Sequence, residues 1–254
     1  MATVRRVLAP NPGPYTGPGT NTWVLGDGPA LVVIDPGPDD PQHLAAIERA
    51  LGGAALVAVL VTHGHPDHVD LASRLGERHA ARVLRHPATA DGDVVRAGGL
   101  SLTALHTPGH APDHLAFWLA EDRVLFTGDL ILGRGSSMIT YPEGDVAAYL
   151  RSLDRVAELE PRLLFPGHWD PVTEAAAKVA EYRAHRLARE HQLLGELGRG
   201  SGSAAELTRR VYAAEVGDSE PLLQAAEMTL RAHLHKLVQE GRALERNGTF
   251  EAVG

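Results

Sequence analysis

Leu56-Val57-Ala58-Val59-Leu60-Val61-Thr62-His63-Gly64-His65-Pro66-Asp67-His68 is the stretch on which the fold turns. Its first half is a short aliphatic run ended by Gly and Pro, which favours a buried strand over a helix segment. In its second half His63 and His65 alternate on an extended backbone, so both rings can point the same way, while Asp67 and His68 fall on the next turn. One stretch can therefore serve two adjacent metal ions.

Three further apolar runs lead into side chains of the same type. Leu100-Ser101-Leu102-Thr103-Ala104-Leu105 precedes Pro108-Gly109-His110, Arg123-Val124-Leu125-Phe126 precedes Thr127-Gly128-Asp129, and Arg162-Leu163-Leu164-Phe165 precedes Pro166-Gly167-His168. If these runs share a layered αβ architecture, the ligands gather at one edge, where loops vary without disturbing a core. A lone His beside a strand is ordinarily structural, but five histidines and two aspartates at strand ends point to a two-metal hydrolytic site. Imidazole and carboxylate donors without thiolate suit zinc or a similar first-row ion.

The order His-x-His-x-Asp-His, then His, Asp and His, resembles the metallo-β-lactamase-fold hydrolase superfamily over roughly residues 1–175. The resemblance implies an α/β fold, a four-layer αβ/βα sandwich. It implies two Zn2+, or other first-row divalent ions, with His63, His65 and His110 on one, Asp67, His68 and His168 on the other, and Asp129 bridging both. Subgroups with a Cys ligand are excluded because the chain has no cysteine. The start, Met1-Ala2-Thr3-Val4-Arg5-Arg6, lacks the roughly 7–15-residue apolar core of an export signal. Antibiotic hydrolysis is therefore not expected, and Asp129 is similar to the bridging carboxylate of the glyoxalase II, thioesterase and ribonuclease branches.

Asn11-Pro12-Gly13-Pro14 with Gly19-Thr20-Asn21-Thr22, His106-Thr107-Pro108-Gly109-His110 with Asp113-His114, and Phe126-Thr127-Gly128-Asp129 with Ile131-Leu132-Gly133 resemble the lactamase-like-protein-2 subfamily. That subfamily implies a small C-terminal winged-helix-like domain. It includes an endoribonuclease acting on single-stranded RNA, with fungal acyl-carrier-protein thioesterases as close relatives. Trp169-Asp170 departs from it, because a small residue is more usual after the last ligand, which implies a bulkier wall at the second metal.

The 254 residues, 44% hydrophobic, suffice for a sizeable core and suit a catalytic domain over 1–199 with a smaller domain over 204–254. No run of about 18 apolar residues offers a membrane span. The absent cysteines and missing signal favour the cytoplasm. A hairpin is expected over residues 22–35, helices over 41–51, after Asp67 and from near Asp145, and a long helix over 173–197. Residues 198–203, Gly-Arg-Gly-Ser-Gly-Ser, read as a flexible linker. Beyond it, helices over 204–214 and 221–241 and two strands around Arg246-Asn247-Gly248 outline a winged helix.

A net charge of −8 opposes a partner held mainly through phosphates, although two divalent ions would reverse the sign locally. Residues 204–254 carry six basic against eight acidic side chains, which disfavours duplex DNA and favours packing at the mouth of the site. The expected activity is hydrolysis by a metal-bridging hydroxide, with Asp67 or a metal-held water managing protons. A small acyl thioester or related ester is preferred, single-stranded RNA comes next, and a non-catalytic metal-dependent regulator is the third reading. Asp129 and Asp67 are catalytic candidates, and so is His114, as a donor lining the cavity or, alternatively, packed against the loop after His110. Asp35 is a candidate for orienting a ligand His, and Asn21, Ser136, Ser137 and Tyr141 for contacting substrate. Arg231, His233, His235 and Lys236 are read first as a solvated helix face, and as candidates for touching an anionic substrate second. His43, His79, His86, His185 and His191 are assigned to surface or helix positions. Whether the helix beside the linker makes a homodimer stays open.

Overall fold

An apolar run without polar alternation must be covered on both faces. The computed structural model shows what covers residues 56–61; it describes residues 3–217 and 219–253, so the Met1-Ala2 start and the charge of Asp218 counted above lie outside the described residues. The first half of the chain forms β1 (Val4–Leu8), β2 (Asn21–Leu25), β3 (Ala30–Ile34), α1 (Pro41–Leu51), β4 (Ala55–Leu60), α2 (Pro66–Val69), α3 (Ala72–His79) and β5 (Arg82–Leu84). These strands make one sheet in chain order, antiparallel from β1 to β3 and parallel from β3 to β5. A second sheet, ordered β10-β9-β8-β7-β6, is built from β6 (Val94–Ala97), β7 (Leu100–His106), β8 (Leu115–Leu119), β9 (Val124–Gly128) and β10 (Leu163–Pro166), with α4 (Val146–Glu158) before β10.

Side chains alternate between two cores. Val32, Ile34, Ala58 and Leu60 face the second sheet, meeting Leu102, Phe117, Phe126 and Phe165. Leu31, Val33, Val59 and Val61 face Leu44 and Ile47 of α1 and Leu75 of α3. The far face of the second sheet packs Ala116, Trp118, Leu125 and Leu164 on Tyr149, Leu153 and Val156 of α4 and on Val179 and Tyr182 of α5 (Ala175–Arg199). The result is a four-layer αβ/βα sandwich. Each fully buried Leu, Ile or Phe contributes about 1.5–3 kcal/mol. Local chemistry sets the helix ends: Asp40 Oδ1 accepts from the N–H groups of Gln42 and His43 at 2.8 Å, Pro41 opens α1, and Gly52 closes it at φ 60.

β11 (Gly202–Ser203), α6 (Ala204–Val216), α7 (Glu220–Gln239), β12 (Ala243–Arg246) and β13 (Thr249–Ala252) complete the chain as a winged helix. The expected flexible linker is instead ordered. α5 runs on to Arg199, β11 pairs with β13, and Ser203 caps α6 in a capping box with Glu206. Burial overrides the Gly-Ser composition: Leu193 and Leu197 at the end of α5 pack with Leu207, Leu230, Leu234 and Phe250. One helix thus belongs to both cores. Ion pairs tie the junction: Lys236 to Glu190 at 2.5 Å, with both partners buried, and the buried Arg189 to the exposed Glu215 at 2.7 Å. No helix of the described residues is long and apolar enough to cross a membrane.

Candidate metal centre

Four strand ends deliver the candidate ligands. His63 and His65 follow β4, and Asp67 and His68 sit on α2, whose first turn starts at Pro66. His110 follows β7, Asp129 follows β9, and His168 follows β10. Close approach of backbones is required at Gly167, where a Cβ would lie 2.6 Å from Asp129 Oδ1 and 2.6 Å from His68 Cε1.

The donors form two groups. In one, His65 Nδ1 lies 2.9 Å from His63 Nε2 and 3.1 Å from His110 Nε2. In the other, His168 Nε2 lies 3.4 Å from His68 Nε2 and 3.3 Å from Asp67 Oδ2. Asp129 spans them, with Oδ1 at 3.5 Å from His68 Nε2 and 3.4 Å from His168 Nε2, and Oδ2 at 3.8 Å from His110 Nε2. Ligands held tetrahedrally at zinc bond lengths stand about 3.3 Å apart, so both groups have the spacing of a coordination shell. Asp129 Oδ1 is buried and receives no hydrogen bond, an acceptor left free for a cation. The donor set therefore fits divalent metal.

Outer hydrogen bonds aim the rings. His68 Nδ1 donates to Asp35 Oδ2 at 2.9 Å, His110 Nδ1 to the Met138 carbonyl at 2.6 Å and His168 Nδ1 to the Gly19 carbonyl at 3.4 Å, which leaves each Nε2 lone pair facing inward. Asp35 also accepts from the Thr62 N–H and the Thr62 hydroxyl, both at 2.7 Å, and that hydroxyl accepts from His63 Nδ1 at 2.9 Å. Asp35, 1% exposed, thus supports a ligand in each group from a left-handed backbone at φ 50. Thr20 Oγ1 donates to Asp67 Oδ2 at 3.0 Å.

Electrostatics follow from seven ionisable groups in a small buried volume. Burial opposes charge on His68, but Asp129 and Asp35 outweigh it and push its pKa up to about 9. His168 rises to about 10 against the same burial, through Asp129 and Asp67. Burial raises Asp67, yet the His168 hydrogen bond and the His68 charge bring it down to about 2. His63 goes the other way, held low by burial and by the charge of His68. Metal binding must therefore displace protons from His68 and His168.

A cavity of about 1150 Å³ opens beside the ligands, lined by Tyr15, Leu132, Met138 and Trp169, by Asp67, Asp129 and three of the ligand histidines, and by Pro221, Gln224, Ala225 and Met228 of α7. The winged helix therefore does pack over the mouth, but through α7 residues not expected from charge. The four candidates for an anionic substrate point elsewhere, and two of them, His233 and Lys236, are buried rather than on a solvated face. His233 is fully buried, Lys236 pairs with Glu190, Arg231 with Glu227 at 2.7 Å, and the His235 ring lies 5.3 Å from that of Tyr141.

Other expectations also need correction. Of the two readings of His114 the structure shows packing and not cavity lining: it is 0% exposed behind His63, with Nδ1 2.9 Å from Thr107 Oγ1 and its backbone N–H donating to the Ala111 carbonyl of the loop after His110. Asn21 is buried, its amide donating to the carbonyls of Pro166 at 3.0 Å and Trp169 at 2.7 Å, so it braces the His168 turn. Ser137 is buried, its hydroxyl donating to the Asp129 carbonyl, and Tyr141 lies outside the cavity; only Ser136 reaches the lining. Among the histidines set aside, His43 sits on helix α1, one of the two kinds of position assigned, on its buried face 2.8 Å from Thr22 Oγ1.

Several contributors went unforeseen. Thr20 and Thr62 stand in or beside the quoted motifs, so adjacency to a ligand was the available signal. Arg186 on α5 carried none: it is buried and donates to Ser136 Oγ at 2.8 Å and to the Ser137 carbonyl, bracing the loop after Asp129.

Comparison with known proteins agrees with this geometry. A family profile described as metallo-beta-lactamase superfamily matches residues 15–91 and 88–168, and one described as beta-lactamase associated winged helix domain matches 203–249. The chain is 36% identical over 229 residues to an atrochrysone carboxyl ACP thioesterase of Aspergillus chevalieri, covering 82% of this chain and 73% of that protein. It is 31% identical over 258 residues to a beta-lactamase-like protein 2 homolog of Caenorhabditis elegans, covering 94% and 85%. A solved beta-lactamase domain protein from Burkholderia ambifaria superposes with a TM-score of 0.85 at 25% identity, covering 98% of this chain and 91% of that one.

Proposed function

The chain belongs to the metallo-beta-lactamase superfamily of hydrolases and carries the associated winged-helix domain, and from that premise we propose that it hydrolyses thioesters or related esters at a dinuclear zinc site. One observation carries the choice: beyond the candidate ligands, no histidine or acidic side chain lines the cavity among the described residues. A thiolate, whose conjugate thiol has a pKa of about 8.5, leaves without a protonating side chain, whereas an alkoxide benefits from one. The similarity to a fungal thioesterase supports the same reading.

His63, His65 and His110 would hold one cation, Asp67, His68 and His168 the other, and Asp129 both. Bound there, two zinc ions, or other first-row divalent ions, supply a hydroxide available at neutral pH and a Lewis acid for the scissile carbonyl. Asp67, fixed by the Thr20 hydroxyl, would serve as ligand and proton acceptor. Leu132, Met138 and Met228 supply apolar walls for an acyl group.

Single-stranded RNA cleavage is the second reading. An aromatic ring and a guanidinium on the cavity wall, Trp169 and Arg134, favour it, since such pairs hold bases and phosphates. The net charge of −8 weighs against it. Acyl-thioesters, lactones and a labelled unstructured RNA, incubated with chelated, zinc-restored and His65→Ala protein, separate the readings. Thioester turnover that follows zinc is expected. RNA cleavage alone, abolished by His65→Ala, would overturn the preference, and full turnover by verified metal-free protein would remove the metal from the account.

A further inference from the structure

Arg134 is the one arginine or lysine lining the cavity among the described residues. It is exposed and makes no ion pair there; its guanidinium lies instead over the Trp169 ring, 5.4 Å from the centroid. Trp169 directly follows His168 and occupies a left-handed backbone at φ 70, which costs a bulky residue about 1–3 kcal/mol. Its surroundings are shaped to keep it. A Cβ at Gly17 would lie 2.4 Å from the indole Cζ2, a Cβ at Gly133 would lie 2.9 Å from Trp169 Cβ, and Asn21 holds the Trp169 carbonyl at 2.7 Å. A strained residue retained with bare backbone on two sides is a rigid platform.

Contact with the ring face restrains the guanidinium at the cavity wall, and its N–H groups make no ion pair among the described residues, so they can serve a carboxylate or phosphate with two hydrogen bonds. We propose that Arg134, held on Trp169, binds an oxyanion that the substrate carries in addition to its scissile bond, either a phosphate on the thiol arm or a carboxylate on the acyl group. This deepens the ester-hydrolase reading and rests on it. An unpaired cation on the cavity wall of a chain with net charge −8 gives an anionic substrate its local attraction.

Two substrate pairs isolate the anion: a butanoyl thioester of 4′-phosphopantetheine against that of pantetheine, and a succinyl against a butanoyl thioester, both on pantetheine. The zinc-loaded protein should prefer the anionic member of one pair by kcat/KM, and Arg134→Gln should lower that preference about ten-fold, the weight of a charge-assisted hydrogen bond. Loss in the first pair assigns the phosphate, and loss in the second assigns the carboxylate. Arg134→Lys, which keeps charge but not the fork, should retain part of it. A preference unchanged by Arg134→Gln in both pairs overturns the proposal. If the normal protein turns over no thioester, the thioesterase reading itself fails. Calorimetric titration then judges the anion site alone, with 4′-phosphopantetheine against pantetheine and succinate against butanamide. Equal discrimination by normal and Arg134→Gln protein in both titration pairs sinks it.

Discussion

Asp35→Asn tests whether one buried carboxylate sets the aim of both ligand groups. Its Oδ2 accepts from Thr62 Oγ1 and His68 Nδ1, and its Oδ1 from the Thr62 N–H. An amide has one acceptor oxygen and cannot serve both positions. With oxygen toward Thr62 N–H, the NH2 group faces His68 Nδ1 and favours the tautomer with its proton on Nε2, the atom that points at the other ligands. With oxygen toward His68, NH2 opposes the Thr62 N–H. Either way about one charge-assisted hydrogen bond disappears, worth roughly 1.5–3 kcal/mol, or about 10–100-fold in metal affinity. The loss should fall on the Asp67, His68 and His168 group more than on the group of His63, which feels Asp35 only through Thr62. Asn adopts a φ of 50 as readily as Asp, so backbone strain adds little. Zinc titration against a competing chelator, resolving two binding steps and paired with a melting curve, reads the effect. Affinities within two-fold of normal at both steps, or equal losses tracking a lower Tm, would refute the reasoning.

Gly109→Ala should fail to assemble the centre: its φ of 138 and the 2.4 Å separating a Cβ from Tyr149 Cα demand that α4 shift, and a Tm drop with loss of bound zinc is the expected result. His233 is buried, with burial and then Arg186, Arg189 and Lys236 lowering its pKa to about 3. Because the unfolded ring takes a proton near 6.5 and the folded one resists it, its contribution is complete above that pH. It is lost as pH falls toward 3, at about 1.4 kcal/mol per unit. His233→Leu should flatten that acid limb in denaturant titrations from pH 7 to 4, and an unchanged slope would place the acid sensitivity elsewhere. Asn21→Leu should cost about 1–3 kcal/mol by leaving the Trp169 carbonyl unpaired, while Pro166 keeps its 3.1 Å bond from Trp23 Nε1; chemical denaturation measures it, and no loss refutes the bracing role.

The sandwich was legible wherever a strand reads as an unbroken apolar run, as at residues 56–61 and 163–165, since burial on both faces erases polar alternation. It was not legible at β1, where Val4-Arg5-Arg6-Val7-Leu8 mixes charge into an edge strand, or at β5 and β6, which are only three and four residues long. β8, with all five residues buried, followed His114 directly and was hidden by attention to that histidine.

Ligand identity and order were properties of the sequence alone, because donor chemistry and strand-end position are local. Partnership was not. Arg186 reaches the loop after Asp129 from a helix fifty residues away, and Arg134 meets Trp169 only because β9 and β10 pair side by side. The same holds for His114 and Asn21, whose side chains look equally able to face solvent or backbone until packing removes the choice. Direction, burial and pairing of a side chain depend on what arrives from distant parts of the chain, and only the folded arrangement decides that.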